Sequence, residues 1–147
     1  MRLAAYPPGK GDITNMIRSY IHRCQKDGVK IVMNCEVTPE LIKEEKPDSV
    51  IIATGSKTLI LPIEGIDNPA IIHGSDLLDG KRAAGKKVLV VGGGMVGCET
   101  AAFLGEQEHD VTVIEFRDTV GADVIHEHRV YLMKDFEDYG IKEITGA

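Results

Sequence analysis

Apolar residues recur at steps of three and four positions near the start of the chain. The residues with this spacing are Ile13, Ile17, Tyr20, Ile21 and Cys24. Steps of this size place side chains on one face of a helix, and Cys24 is interpreted as a small core residue on that face. Asp12 offers a side-chain oxygen as an N-cap and Gly28 provides a stop. The pattern therefore predicts an amphipathic helix over residues 13–26.

The next apolar runs are short and rich in β-branched residues, which is typical of strands. Strands are predicted over residues 29–37 and 49–54, with a brief helix over residues 39–45 that ends before Pro47. The run at 49–54 does not alternate with charged residues. We therefore expect it to be a strand buried on both faces.

Glycine and proline punctuate residues 57–87, which we interpret as a crossover segment with one helical turn at residues 75–78. An apolar strand at 88–91, a helix at 95–106 and a strand at 111–115 are predicted to follow in that order. This order is that of a β-α-β unit with parallel strands.

A last helix is indicated by apolar positions before Gly140, which stops it, and residues 141–144 form a further predicted strand. The positions that mark the helix are Ile125, Leu132, Met133, Phe136 and Tyr139. Strands that alternate with helices predict an α/β fold with a central parallel sheet flanked by helices.

The composition narrows the choice of partners and compartment. The chain has 147 residues, a formal net charge of −6 and no run of like charges, which disfavours binding to nucleic acid or to an anionic membrane surface. Its apolar runs are far shorter than the roughly 20 residues that cross a bilayer. Three cysteines without a Cys-x-x-Cys pair argue against a disulfide framework, so we expect a cytoplasmic protein. His126 and His128 do not share a helix face, and no metal site is predicted there.

The candidate chemistry lies in a glycine cluster that follows the strand at 88–91 and opens the helix at 95–106. The cluster reads Gly92, Gly93, Gly94, Met95, Val96, Gly97 and fits Gly-x-Gly-x-x-Gly in the context that dinucleotide binding requires. Gly92 permits the tight turn, Gly94 lets the backbone approach a pyrophosphate, and Gly97 lets the helix pack closely. The pyrophosphate is expected on the helix N-terminus.

An acidic residue stands at the distance expected for recognition of the adenosine ribose. Glu115 ends the next strand, 23 positions after Gly92, and Phe116 and Arg117 follow it. A carboxylate accepts hydrogen bonds from the ribose hydroxyls and repels a 2′-phosphate, so we predict NAD(H) over NADP(H), a preference that Arg117 can soften. The alternative is a glycine-rich turn without a ligand. A phosphate-loop NTPase is disfavoured because no Gly-Lys-Ser/Thr follows the glycines.

With the glycine cluster, two further stretches make the chain resemble the pyridine nucleotide-disulfide oxidoreductases. Residues 50–56 contain Ala53, Thr54 and Gly55, which are similar to the end of a flavin-binding domain, and residues 60–66 are similar to the crossover into the nucleotide domain. Residues 6–10 look most like the C-terminal half of NADH oxidases of the dienoyl-CoA reductase and 2-enoate reductase type.

The resemblance implies a division of the chain. Residues 1–60 would be a partial FAD-binding domain segment, and residues 61–147 an NAD(P)-binding Rossmann-like domain truncated at its C-terminal end. The implied fold is thus an incomplete Rossmann-like FAD/NAD(P)-binding fold. FAD is implied as a cofactor, but its own glycine fingerprint is absent before Ala53. Ala53, Thr54 and Gly55 either approach the flavin or only close a strand.

The implied function is the NAD(H)-binding portion of a flavin-dependent oxidoreductase that passes hydride from NADH to FAD. The two cofactors carry out this chemistry, so no catalytic side chain is predicted, and the piece alone is expected to be inactive. The expected partners are the dinucleotide and either a second copy of the chain or the rest of a longer flavoprotein. The alternatives are a stand-alone dinucleotide-binding module without catalysis and a purely structural domain.

Overall fold

The computed structural model describes residues 2–60 and 62–147. A three-stranded parallel sheet has the order β1 (Lys87–Val91), β2 (Asp110–Glu115) and β3 (Lys142–Thr145). The predicted β-α-β unit is confirmed, and its two strands each begin one residue earlier than expected. The third predicted strand is also present and pairs with β2.

The described residues also form five α-helices and one short 3-10 helix. They are the 3-10 helix Arg2–Ala5, α1 (Asp12–Lys26), α2 (Pro39–Glu45), α3 (Gly74–Leu78), α4 (Met95–Glu106) and α5 (His126–Asp138). The predicted bounds of α2 and α4 are confirmed, and α3 corresponds to the predicted helical turn. The predicted N-cap of α1 is wrong, because Asp12 lies inside the helix and its carboxylate accepts a hydrogen bond from the Asn15 side chain at 3.3 Å.

The core lies between the sheet and the two helices α4 and α5. From α4 it takes small residues such as Ala101 and Ala102, which are fully buried and let the helix approach β2 closely. Val111 and Val113 supply the sheet side of the core, and Phe136 packs from α5. Burial of such side chains is the main stabilising contribution to this part of the chain.

The opposite face of the sheet carries apolar side chains that the described residues leave largely open. Leu89 and Val91 on β1 are 56% and 64% exposed, and Ile144 on β3 is 48% exposed. The register sets Val91, Ile114 and Ile144 side by side on this face. The helices α4 and α5 thus cover one side of the sheet only.

The predicted strands at residues 29–37 and 49–54 are wrong. Neither segment forms a strand or a helix, and Ile51 and Ile52 are 90% and 83% exposed rather than buried. A strand exists only when a neighbour satisfies its backbone N–H and C=O groups. The three strands formed by residues 2–60 and 62–147 all lie in the sheet after residue 86, and none pairs with these segments.

The apolar face of α1 is also less covered than predicted. Tyr20 and Ile21 are 55% and 50% exposed, and Cys24 is half-buried, so its interpretation as a core residue is wrong. The segment before α1 is nevertheless attached to α4, since Lys10 forms an ion pair with the buried Glu99 of that helix. Within the described residues, no helix has the length and apolar character needed to cross a membrane.

Candidate functional site

The turn between β1 and α4 depends on a residue without a side chain at its first position. Gly92 has φ +99°, a left-handed conformation that glycine adopts without steric cost, and its N–H donates to the carbonyl of Ile114 at 2.8 Å. The chain then reverses and enters α4 through Gly94, whose backbone is extended. The sequence reasoning assigned this turning role to Gly92, and the backbone geometry agrees with it.

Two other glycines are required by close packing. A β-carbon on Gly97 would overlap the carbonyl oxygen of Gly92. A β-carbon on Gly93 would lie 2.9 Å from Cγ1 of Val120 and 3.0 Å from Cβ of Glu115. The role of Gly97 was expected from the sequence, whereas the tight packing at Gly93 was not.

The N-terminus of α4 presents backbone donors without any acidic side chain in its first turn. The first N–H groups of a helix have no partner within the helix, and the helix dipole adds positive potential there. Met95 and Val96, the first two residues of α4, have side chains that are 43% and 63% exposed. This end of α4 can hold an anion by backbone contacts alone.

Glu115 lies directly beside the glycine turn, at the end of β2. Its Oε2 accepts a hydrogen bond from the N–H of Gly93 at 2.6 Å, and its Oε1 accepts one from the N–H of Arg117 at 2.9 Å. These donors, Arg117 first and Gly93 second, hold the pKa of Glu115 below its usual range. The carboxylate is therefore ionised at neutral pH and fixed in orientation, while the neighbouring Phe116 is 84% exposed.

The three residues that resemble the end of a flavin-binding domain lie outside the packed core. Ala53, Thr54 and Gly55 are exposed and lie in a segment without strand pairing. Gly55 has φ +79°, which fits the interpretation of a turn at this position. No hydrogen bond among the described residues joins them to the glycine turn.

The sequence reasoning missed a loop that packs on the glycine turn, residues 118–125. The N–H of Gly121 donates to the carbonyl of Gly93 at 2.6 Å, and Gly121 has φ +65°. Arg129 holds the loop from α5 through the carbonyl of Val120 and the hydroxyl of Thr119. Gly121 was the only signal in the sequence for a turn here, and nothing there indicated what the turn contacts.

Cys98, His126 and His128 lie in different surroundings. Cys98 is fully buried, its Sγ contacts the carbonyl of Gly93 at 3.1 Å, and burial raises its pKa to about 11. Cys98 is thus a small residue of the hydrophobic core. His126 is exposed at the start of α5, and Nε2 of His128 lies 3.1 Å from Oε1 of Glu99. Residues 2–60 and 62–147 contain no group of three or more potential metal ligands.

The β1-α4-β2 unit, with a glycine turn at the N-terminus of α4, defines a Rossmann-like α/β domain. Residues 12–147 match the family described as pyridine nucleotide-disulphide oxidoreductase. The chain belongs to this family, as its motifs indicated, and it is therefore a pyridine nucleotide oxidoreductase domain.

Individual relatives agree with this assignment. The chain is 30% identical to the bilirubin reductase of Mediterraneibacter gnavus over 147 residues, which are 100% of this chain and 23% of that protein. It is 33% identical to the NADH oxidase of Thermoanaerobacter brockii over 151 residues, 99% of this chain and 23% of the oxidase. The chain thus spans less than a quarter of the length of these relatives.

A solved structure supports the incomplete Rossmann-like fold. The structure of a 2-naphthoyl-CoA reductase in complex with 2-naphthoyl-CoA superposes with a TM-score of 0.87 at 34% identity. The match covers 98% of this chain and 22% of that chain. This agreement extends over nearly all of the sequence, including the residues before the β1-α4-β2 unit.

Proposed function

We propose that the glycine turn and Glu115 hold NADH as the hydride donor of a flavin-dependent oxidoreductase. The observation that carries this proposal is the position of Glu115, whose carboxylate lies against the N–H of Gly93 beside the N-terminus of α4. The pyrophosphate of a dinucleotide fits the backbone donors at Gly94, Met95 and Val96. Glu115, 23 positions after Gly92, then has the sequence spacing expected of the acidic residue that binds the adenosine ribose.

The same carboxylate supports a preference for NADH over NADPH. Glu115 is ionised at neutral pH, because its two backbone donors favour the charged form. A 2′-phosphate would bring a second negative charge against it, whereas ribose hydroxyls donate hydrogen bonds to it. Phe116 and Arg117 continue from Glu115 along the proposed adenosine side of the site.

In the whole protein, the hydride of NADH is proposed to pass to FAD. FAD and the nicotinamide supply the redox chemistry, and the residues of this chain bind and orient the nucleotide. The name of the NADH oxidase relative supports NADH as the donor. Residues 2–60 contain no glycine turn between a strand and a helix, so they do not fit the pyrophosphate of FAD and no flavin step is derived from them.

We also propose that residues 1–60 are a segment of an FAD-binding domain and that residues 61–147 are the nucleotide domain. The support is the contrast between the two parts in their described residues. The segments at 29–37 and 49–54 carry exposed apolar side chains and form no strand, whereas α4, β1 and β2 form a packed core. Segments with strand-like composition become strands when neighbouring strands pair with them.

Titration calorimetry with NADH and NADPH tests the nucleotide assignment. We expect NADH to bind more tightly than NADPH, and Gly94→Asp to abolish binding because it adds bulk and negative charge at the pyrophosphate position. Gly85→Asp is the matched control, since a β-carbon there meets no atom within 4 Å. Equal NADH affinity of a folded Gly94→Asp variant and the unchanged protein would refute the assignment.

The alternative function is a dinucleotide-binding module without catalysis. The observation that favours it is the absence of a flavin pyrophosphate turn from the described part of residues 1–60. The visible absorption of the purified chain tests whether it completes a flavin site, because bound oxidised flavin absorbs between about 350 and 500 nm. A yellow protein would exclude the module and support the oxidoreductase, whereas a colourless one that binds NADH would leave a nucleotide-binding piece whose catalysis belongs to a longer protein.

A further inference from the structure

A carboxylate of the protein itself lies at the N-terminus of α4. Oδ1 of Asp123 accepts a hydrogen bond from the N–H of Met95, the first residue of α4, at 3.0 Å. A β-carbon on Gly94 would lie 3.1 Å from Oδ2 and 3.4 Å from Oδ1 of the same side chain. Both carboxylate oxygens therefore lie next to the backbone where a pyrophosphate is proposed to bind.

The backbone around Asp123 is held in place on both sides. Before it, the N–H of Gly121 donates to the carbonyl of Gly93 at 2.6 Å. After it, Val124 is 8% exposed in the core and its N–H donates to the carbonyl of Gly121 at 3.1 Å. Asp123 itself is exposed. The loop thus fixes the position of its backbone, while its side chain is free to rotate into solvent.

Two anions cannot share the end of α4. The helix terminus stabilises one negative group through its free N–H donors and its dipole. With Asp123 in place, an incoming pyrophosphate loses the N–H of Met95 as a donor and meets a like charge at short range. Glu115 does not have this effect, because it accepts from Gly93 and Arg117 on the ribose side.

We propose that Asp123 is an internal competitor of the nucleotide pyrophosphate and sets the affinity of the site. Resting on the nucleotide-binding function proposed above, this inference adds a regulatory step to it. In the free protein, the carboxylate occupies the helix terminus. NADH binds when the Asp123 side chain rotates away, and the loop at residues 118–125 keeps its contact with Gly93.

The test compares NADH dissociation constants of the unchanged protein, Asp123→Asn and Asp118→Asn by titration calorimetry. Asparagine keeps the shape and one acceptor of Asp123 but removes its charge, so NADH should bind about three- to tenfold more tightly. Asp118→Asn makes the same change of net charge at an exposed position of the same loop and should leave the constant unchanged. Adenosine, which has no pyrophosphate, should bind the unchanged protein and Asp123→Asn equally.

The outcomes separate this inference from the proposed function. NADH binding that is equally tight in the unchanged protein and in Asp123→Asn would overturn the inference and leave the nucleotide site intact. Failure of both proteins to bind NADH would overturn both. The amide resonance of Met95 gives a second measurement: it should shift when NADH replaces Asp123 as the acceptor, and a constant resonance at saturation would contradict competition.

Discussion

The backbone of α4 at Gly97 lies against the carbonyl group of Gly92, so closely that a β-carbon at residue 97 would be 2.9 Å from the Gly92 carbonyl carbon and would overlap its oxygen. The first turn of α4 and the end of β1 are thereby held in a fixed relation. The N–H groups at the start of α4 and the carboxylate of Glu115 keep their spacing because both adjoin this turn.

The contact between Gly97 and Gly92 predicts a large effect of one added methyl group. Gly97→Ala should destabilise the fold by about 1–3 kcal/mol, because the overlap is with backbone and no side chain can rotate to relieve it. Urea unfolding followed by circular dichroism measures the change. Gly85→Ala is the control and should lie within about 0.5 kcal/mol of the unchanged protein. Similar stability of the two variants would mean that α4 shifts freely.

The position of Glu115 predicts how nucleotide choice changes when its charge is removed. Glu115→Gln should weaken NADH binding and strengthen NADPH binding. The dissociation constant of NADPH divided by that of NADH should therefore fall about tenfold. Titration calorimetry with both nucleotides gives this ratio. Glu44→Gln, an exposed substitution in α2, should not change it. An unaltered ratio in Glu115→Gln would exclude the carboxylate as the source of selectivity.

The lowered pKa of Glu115 predicts a pH dependence. Its carboxylate stays ionised when the pH falls from about 8 to about 5, so the contribution of Glu115 to NADH affinity should be constant over that range. The hydrogen bonds from Arg117 and Gly93 contribute stability that is present above the unfolded pKa and is lost as the pH falls through the lower folded pKa. The ratio of the NADH dissociation constants of Glu115→Gln and the unchanged protein, measured across this range, checks the prediction, and a ratio that declines already near pH 6 would contradict it.

The burial of Cys98 predicts that the three cysteines react differently. Its pKa is raised to about 11, so the thiolate that attacks alkylating reagents is scarce at neutral pH. Iodoacetamide followed by mass spectrometry should modify the exposed Cys35 in the native protein and Cys98 only after unfolding. The neutral thiol of Cys98 also contributes stability. This contribution is present below the ordinary cysteine pKa of 9.0 and is lost as the pH rises through the raised pKa of about 11. Equal labelling of Cys35 and Cys98 without denaturant would contradict the packing.

The exposed apolar segments predict self-association when no other strands cover them. Ile51 and Ile52 are more than four-fifths exposed in a segment without strand pairing, which offers apolar surface to a second copy. Sedimentation velocity should show a dimer or larger species, and Ile51→Lys with Ile52→Lys should shift the distribution towards monomer. Val130→Lys, an exposed apolar position on α5, is the control. A monomer at all concentrations would count against this surface as a contact.

The β1-α4-β2 unit could be predicted from the sequence because its signals are local. The apolar run at 88–91, the glycines after it and the small residues of α4 all lie within about 20 positions, and each fits the same β-α-β geometry. The position of Glu115 then follows from the length of one helix and one strand.

The remaining features depend on contacts that no local pattern encodes. Residues 29–37 and 49–54 have the composition of strands, but a strand forms only with a partner, and the partner is not specified by the segment itself. Asp123 contacts Met95 across 28 positions of sequence. An aspartate shortly before a helix is ordinary, so its place at the end of α4 became visible only in three dimensions.

The proposed anion site depends on space that glycine residues leave open. Its donors are peptide N–H groups, and an anion can reach them only where no β-carbon blocks the approach. Natural selection can therefore preserve this site chiefly by excluding residues with a β-carbon from the glycine positions. In a library of all single substitutions scored for NADH binding, Gly92, Gly94 and Gly97 should tolerate almost nothing. Met95 and Val96 contribute only their backbone N–H groups, and their side chains are exposed, so both positions should accept many substitutions.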